Sequence, residues 1–159
     1  MEIKAPNRVS HTYTQQLVAA PEVVFPLLCP VREADWADGW DPITVATHSG
    51  AAELDCVFVT PGAKNTAIWY ITKHESDRGF VEMLKITPEF TACKLTIQLR
   101  ATPKGSEADV TYMHTSLGPD GDAFIASFTE AFYCEFMKDW EKRLNFFLTH
   151  GRCLKTEEK

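Results

Sequence analysis

The chain reads as an α+β protein: one curved antiparallel sheet of about six to seven strands wrapped round a long C-terminal helix. Three observations predict this. Phe124, Phe128, Phe132, Phe136, Trp140, Leu144 and Leu148 recur every fourth residue, with no Pro between them and Gly151 after them. Almost everything between residue 43 and residue 117 is strand-like, cut by short turns. A four-residue repeat drifts by about 40° per step on a helix, so a row of this length winds round it and needs a curved partner rather than a flat one.

The elements follow in order. Residues 1–7 are expected to be a loose arm. The run Val9–Val18 is rich in Val, Thr and Tyr and suits an edge strand. Pro21 is placed to begin a short helix that Pro30 ends. A second short helical piece falls in the stretch from Val31 to Pro42. Strands are expected at Ile43–His48, Leu54–Phe58, Thr66–His74, Phe80–Thr87, round Leu95, Ile97 and Leu99, and at Ala108–Leu117. The turns are Pro61-Gly62, Ser76–Gly79 and Pro103–Ser106. In the fourth of these strands Val81 and Met83 are expected inward and Glu82 outward. Short turns imply antiparallel neighbours with one face to bury. The long helix then starts after Gly118, with Asp120 or Asp122 as its N-cap, and runs to about Thr149. Residues 152–159 are expected to fray. The whole chain, 1–159, is read as a single domain with its ordered core at 8–150.

Composition narrows the function classes. At 159 residues, with 45% hydrophobic and 24% charged, the balance is that of an ordinary globular protein. A net charge of −6 argues against a nucleic-acid footprint. No apolar run approaches a membrane span, and the N-terminus has no signal-like apolar core, so a cytoplasmic location is expected. The five cysteines are widely spaced without a CxxC pair, and reduced, mostly buried thiols are expected. No metal-ligating or cofactor-binding pattern is present among the histidines and acids.

Two regions carry candidate chemistry. The block Cys29–Trp40 holds Arg32, Glu33, Asp35 and Asp38 together with Trp36 and Trp40, two rings that share a helical face. The tryptophans either cap a cavity mouth with Arg32 meeting an anionic group, or seal the core while Arg32 pairs with Glu33 or Asp35; the second is favoured. In the final strand His114 faces either the interior or water, with the outward placement favoured. Tyr70, Tyr112, Glu130 and Tyr133 are further polar groups that an apolar pocket could use. No exposed apolar stripe is visible to serve as a protein interface.

This layout is that of the helix-grip fold, and the residues resemble the START and polyketide-cyclase (SRPBCC) superfamily over nearly the whole chain. The entry from Val18 to Trp40 is similar to the family's first strand and short helices. Thr111-Tyr112, Thr115 and Leu117-Gly118 resemble its last strand. Phe128-Thr129-Glu130 with Trp140 and Leu144 resembles its C-terminal helix. The Cys29–Trp40 block looks like an uncharacterised bacterial subgroup. The resemblance implies an internal cavity for a small hydrophobic molecule: a lipid, an isoprenoid, or an aromatic or polyketide-like compound. Expected ligand-lining residues are Trp36, Trp40, Phe58, Trp69, Met83, Leu95, Ile97, Leu99, Phe124, Phe128 and Phe132. The leading expectation is a carrier or sensor rather than an enzyme. The alternatives are a cyclase or dehydratase using Tyr70, His114, Glu130 or Tyr133 as acid or base, and a co-chaperone-like interaction module.

Overall fold

The structure is a computed structural model that describes residues 1, 3–62 and 65–156. Residue 2 of the expected loose arm and residues 157–159 of the expected fraying tail lie outside these residues. Strand β1 (Arg8–Leu17) is followed by helix α1 (Pro21–Val24), which continues as a 3₁₀ turn through Leu27, and by a second 3₁₀ turn at Arg32–Asp35. Then come β2 (Thr44–Ala46), β3 (Val57–Thr60), β4 (Ala67–Glu75), β5 (Phe80–Thr87), β6 (Thr91–Thr102) and β7 (Gly105–Ser116). Helices α2 (Pro119–Ser127) and α3 (Glu130–His150) close the chain. The seven strands form one antiparallel sheet in the order β1-β7-β6-β5-β4-β3-β2. Every neighbour but one is consecutive in sequence; the exception brings β1 back beside β7.

The register sorts the side chains into two faces. Trp69, Lys85, Cys93 and His114 are successive cross-strand partners from β4 to β7, and Ile71, Met83, Leu95 and Tyr112 form the next row. The row after that holds Val81, Ile97 and Val110. These rows face the helix side and hold most of the buried apolar surface. On the other face, β1 and β7 are laced by polar pairs: Arg8 to Thr115, Thr12 with Thr111, Thr14 to Asp109 and Gln16 to Glu107. That outer face is not polar throughout. Ile68 pairs with Ile86 and Tyr70 with Leu84 across β4 and β5, and all four are exposed. The sequence pattern did not show this patch, because each strand contributes only two of its residues.

The expected single helix is two. The row of phenylalanines runs unbroken through the sequence, but the backbone leaves helical geometry at Phe128 (φ −80°, ψ 64°) and at Thr129. Thr129 then caps α3, its side-chain oxygen accepting from the Phe132 N–H at 3.2 Å. This leaves the Phe128 carbonyl without its helical donor, and His11 Nε2 of β1 donates to it at 2.9 Å. A carbonyl only accepts, so His11 is protonated at Nε2. Gly118, not Asp120 or Asp122, caps α2; the two acids sit in its first turn, and Asp122 accepts from Asn7. Within α2, Gly121 lies directly on the Phe90 carbonyl, where a Cβ would overlap the oxygen.

With the break, the buried face of α3 becomes Tyr133, Met137 and Leu144, all fully buried, flanked by Trp140, Phe147 and Leu148. That spacing follows 3.6 residues per turn rather than four. Phe132 (55%) and Phe136 (45%) are left exposed. Polar anchors fix α3 to the sheet edge: Tyr133 donates to the Val110 carbonyl at 2.6 Å, Gln15 to the Met137 carbonyl at 3.3 Å, and Asn145 bonds both Val18 N–H and the Gln16 carbonyl. The C-terminal segment is tied down through residue 156. Leu154 is buried, and Asp38 accepts from Lys155 and from both donors of Thr156.

Two substitutions test this account of the helices. Thr129→Ala removes the cap and should cost about 1 kcal/mol. Met137→Ala empties a fully buried site and should cost about 2–5 kcal/mol. Urea unfolding midpoints measure both.

Candidate functional site

A cavity of about 360 Å³ lies between the inner face of the sheet and α3. The sheet supplies Phe58, Trp69, Met83, Leu95 and Tyr112, one from each of β3 to β7. Helix α3 supplies Phe136, Asp139, Trp140 and Arg143, and the segment after the second 3₁₀ turn supplies Ala37, Asp38, Gly39 and Trp40. Glu33, from the turn itself, completes the wall.

The placement of that turn follows from its geometry. In a 3₁₀ helix residues three apart eclipse one another, so Arg32 and Asp35 share one face while Glu33 and Trp36 share another. Arg32 and Asp35 form an exposed ion pair at 2.6 Å. Trp36 goes inward, fully buried, its indole N–H donating to the Leu27 carbonyl and its ring against Trp140 at 5.3 Å. Glu33 follows it inward. Trp40 is held from the other side by its indole N–H on the Pro30 carbonyl at 2.7 Å. The Cys29–Trp40 block is thus a folded wall: Trp36 anchors it in the core, and Trp40 and Glu33 present its inner surface.

The electrostatics of this wall are uneven. Asp139 pairs with Arg143 at 2.7 Å, and Arg143 also donates to the Leu154 carbonyl. Asp38 is held by Lys155 and Thr156, whose hydrogen bonds draw its pKa down to about 2. The indole N–H of Trp69 is used by Thr60. The Glu33 carboxyl and the Tyr112 hydroxyl make no hydrogen bond to any described residue. Glu33 is half-buried on the cavity wall, and desolvation raises its pKa to about 8. Tyr112 is pushed well above its ordinary value, first by burial and then by the charges of Cys93 and Glu33.

Other expected residues lie elsewhere. Of the ligand-lining set, Trp40, Phe58, Trp69, Met83 and Leu95 line the cavity; Trp36, Ile97 and Leu99 are packed in the core behind it. Phe124 and Phe128 are drawn off by the helix break and pack edge-on against His114, at 4.9 and 4.7 Å. Phe132 is exposed and touches Phe128 from outside. Of the acid–base set, Tyr70 is exposed and donates to Asp55, and Glu130 is exposed in the first turn of α3. Tyr133 is spent on Val110. His114 is inward, 5% exposed, against the expected outward placement, because its cross-strand neighbour Cys93 belongs to a buried row. Its Nδ1 has no partner among the described residues. Burial, helped by the nearby Lys85 cation, lowers its pKa to about 4. Of the two polar groups in the cavity, Tyr112 was among the tyrosines the sequence offers to an apolar pocket, whereas Glu33 was read only as a possible partner of Arg32. The signal was present in Glu33 preceding Trp36 by three, once the turn is known to be 3₁₀.

On the far side of Trp69, Lys85 stands 4.9 Å from the indole ring, and burial lowers its pKa. A second hollow of about 560 Å³ opens there between the β3–β4 loop and Phe90. The five cysteines are free, and burial pushes the Cys93 thiol up to about 12. No helix among the described residues is long and apolar enough to cross a membrane.

The two interior titrations act in opposite directions on stability. Glu33 has a folded pKa above its unfolded value of 4.5, so its proton stabilises the fold fully below pH 4.5, and that contribution is lost as pH rises to about 8. His114 has a folded pKa below its unfolded 6.5, so its contribution is present above pH 6.5 and lost as pH falls to about 4. Glu33→Gln should therefore gain stability over wild type between pH 4.5 and 8, reaching on the order of 2 kcal/mol at pH 9. His114→Leu should gain relative to wild type only on the acid side of pH 6.5. Urea midpoints at pH 4 to 9 decide both; parallel profiles for wild type and variant would refute the assignment.

No family model matches the chain, and no curated protein does. Solved structures do. An uncharacterised protein from Rhizobium leguminosarum is 12% identical, with a TM-score of 0.63 over 93% of this chain and 99% of that one. A Thalictrum flavum norcoclaurine synthase point mutant, in complex with a transition state analogue, is 10% identical, with a TM-score of 0.64 over 92% and 99%. DynU16, a protein of the dynemicin biosynthetic locus, is 14% identical, with a TM-score of 0.57 over 92% of this chain and 48% of that one. At such identities the likeness establishes the architecture: this chain has the helix-grip fold.

Proposed function

We propose that this protein binds a small, predominantly apolar molecule in the cavity between the sheet and α3. The observation that carries this reading is the cavity itself. It is a cleft of about 360 Å³, open to solvent on one side and walled by Trp40, Phe58, Trp69, Met83, Leu95 and Trp140. That volume is within the usual range of ligand sites, about 300–1,000 Å³, and so is the make-up: apolar walls with a few polar groups. Burial of ligand surface would supply about 25 cal/mol per Å² before the costs of association. The solved neighbour that holds a transition state analogue supports the reading as a precedent for this architecture.

An enzymatic reading has one specific observation in its favour, and it is not the set Tyr70, His114, Glu130 and Tyr133. None of those four lines the cavity. Any acid–base chemistry would fall to Glu33, whose pKa of about 8 is near the operating range of a general acid, with Tyr112 also on the cavity wall. Carriage or sensing needs less of the site than catalysis does, and it is the reading we adopt.

The test is a titration with N-phenyl-1-naphthylamine, a neutral apolar fluorophore. Wild type should bind one equivalent with enhanced fluorescence. Ala37→Trp, which fills the cavity from its wall, should weaken binding about tenfold or more while leaving the thermal midpoint within a few degrees. Native mass spectrometry of the purified protein should also find an apolar molecule released on denaturation. Equal binding by wild type and by the filled variant would move the site elsewhere and end the proposal.

A further inference from the structure

The second hollow, of about 560 Å³, has a cation in its floor. Trp69, a wall of the cavity, is stacked on Phe58 of β3 at 5.2 Å, their planes 11° apart. From β5 its cross-strand partner Lys85 places Nζ 4.9 Å from the indole centroid, and Lys85 lines the hollow. One pair further along the inner face stand Ala67 and Thr87, both buried and both in the hollow's lining. Lys85 and Thr87 are two residues apart on one strand, so both side chains leave the same face, from roots about 7 Å apart. Ala67 contributes only a methyl, which leaves room in front of them.

The rest of the hollow is firmly held. Phe90 is fixed by Phe90 N–H on the Thr87 carbonyl, by Leu117 N–H on its own carbonyl and by its ring on Phe124 at 5.3 Å. Asn65 donates to the Pro88 carbonyl at 3.0 Å, tying the β3–β4 loop to the β5–β6 turn. Asn65, Glu89 and Asp120 are exposed and form the rim, while Ala67, Lys85 and Thr87 lie deeper. Among the described residues the Lys85 ammonium has its indole contact but no ion pair or hydrogen bond, and the Thr87 hydroxyl has no hydrogen bond.

We propose that this hollow is a second binding site, distinct from the cavity, for a monoanionic organic acid. Its carboxylate would sit on Lys85 Nζ and the Thr87 hydroxyl, and its apolar part against Ala67, Phe90 and Pro61.

The chemistry selects this class in steps. An ammonium on an inner sheet row has given up hydration, and an aromatic face returns only part of that. A neutral apolar ligand would cover the ammonium and leave it unpaired. A cationic ligand would meet it directly. A carboxylate offers two acceptor oxygens to one ammonium and one hydroxyl, and with a charge-assisted hydrogen bond of about 2.8 Å to each it bridges the gap between them. A phosphate dianion fits less well: the floor has one cation, and Glu89 and Asp120 stand at the rim. The cavity does not compete for the acid, because its own cation, Arg143, is taken by Asp139 and the Leu154 carbonyl.

The test compares 2-naphthoate with its neutral isostere 2-naphthamide, titrated calorimetrically at pH 7.5 and low ionic strength. Wild type should bind the acid about tenfold more tightly than the amide, and 0.5 M NaCl should reduce that preference. Lys85→Met, which keeps the contact with the indole, should abolish the preference, and Thr87→Val should reduce it two- to threefold. Both variants should still bind N-phenyl-1-naphthylamine as wild type does, which shows that they fold and that the cavity is intact. Ala37→Trp, which fills the cavity, should leave naphthoate binding unchanged. If wild type binds acid and amide equally, or binds neither, the hollow is not an acid site and the proposal falls without touching the cavity reading. If Lys85→Met keeps the preference, Lys85 only packs on Trp69 and the proposal also falls. Loss of naphthoate binding in Ala37→Trp would place the acid in the cavity and overturn the second site.

Discussion

The rest of the structure depends on the interruption of the C-terminal helix at Phe128 and Thr129. A helix end exposes backbone groups that must be satisfied, and here two side chains do it: the Thr129 oxygen takes the Phe132 N–H, and the His11 ring supplies a donor to the Phe128 carbonyl. Since His11 belongs to β1, the break is also a bond to the sheet. It separates two jobs. Helix α2 lies against β7 and presses Phe124 and Phe128 on His114, filling that end of the interior. Helix α3 is free to set a new direction and a new buried face, pinned by Tyr133 on Val110 and Gln15 on the Met137 carbonyl. A straight continuation from α2 would carry a single stripe along the whole sheet. The break fills one end and leaves the other to be closed by something else.

That closure comes from the segment between α1 and β2. The sheet offers its inner rows, with Trp69, Met83, Leu95 and Tyr112 in adjacent strands. Opposite them α3 presents Phe136, Asp139, Trp140 and Arg143, a mixed and half-exposed set that does not fill the gap. Trp36 and Trp40 are each tethered by an indole N–H to a carbonyl of residues 27–30, so the loop carrying them behaves as a fixed wall. Its far side is latched by Asp38 to Lys155 and Thr156 beyond α3. The cavity is therefore bounded by three separately anchored pieces.

Much of this was legible in the sequence, for definite reasons. The alternation of Leu95, Ile97 and Leu99 gave β6 its inner face, and all three are buried; the short turns gave the antiparallel meander. The helix break was hidden because Phe128 belongs to an apolar row that continues past it, and the capping signal, a single Thr followed by Glu130, is weak beside seven large apolar residues. The four-residue spacing was itself misleading. It put Phe132 and Phe136 in the buried stripe, whereas the 3.6-residue period of α3 selects Tyr133, Met137 and Leu144. Four cavity residues, Phe58, Trp69, Met83 and Leu95, were legible as large apolar side chains in strands, and Trp40 by its spacing from Trp36. Glu33 was not, because its orientation depends on whether residues 32–35 form a 3₁₀ turn or an α-helix. In a four-residue run with three charged side chains nothing local decides that; the burial of Trp36 does.

The interior titratable groups show what kind of site this fold maintains. His114 and Glu33 both sit where burial disfavours their charge, but they are not equivalent. His114 is enclosed by Phe124, Phe128 and Tyr112 and lines neither of the two hollows described, so its ring serves as packing with one nitrogen unmet among the described residues. Glu33 faces open volume, and an apolar residue in its place would spare the fold the cost of desolvating a carboxyl. Perturbed carboxyls in clefts concentrate at functional sites because they trade stability for a defined proton position. In this chain the trade is made at a residue whose direction is set by Trp36, in a cavity whose wall also holds a phenol. The polarity of the cavity is thus a property of its wall, built by the Cys29–Trp40 block, and the aromatic helix row that dominates the sequence supplies mainly its frame.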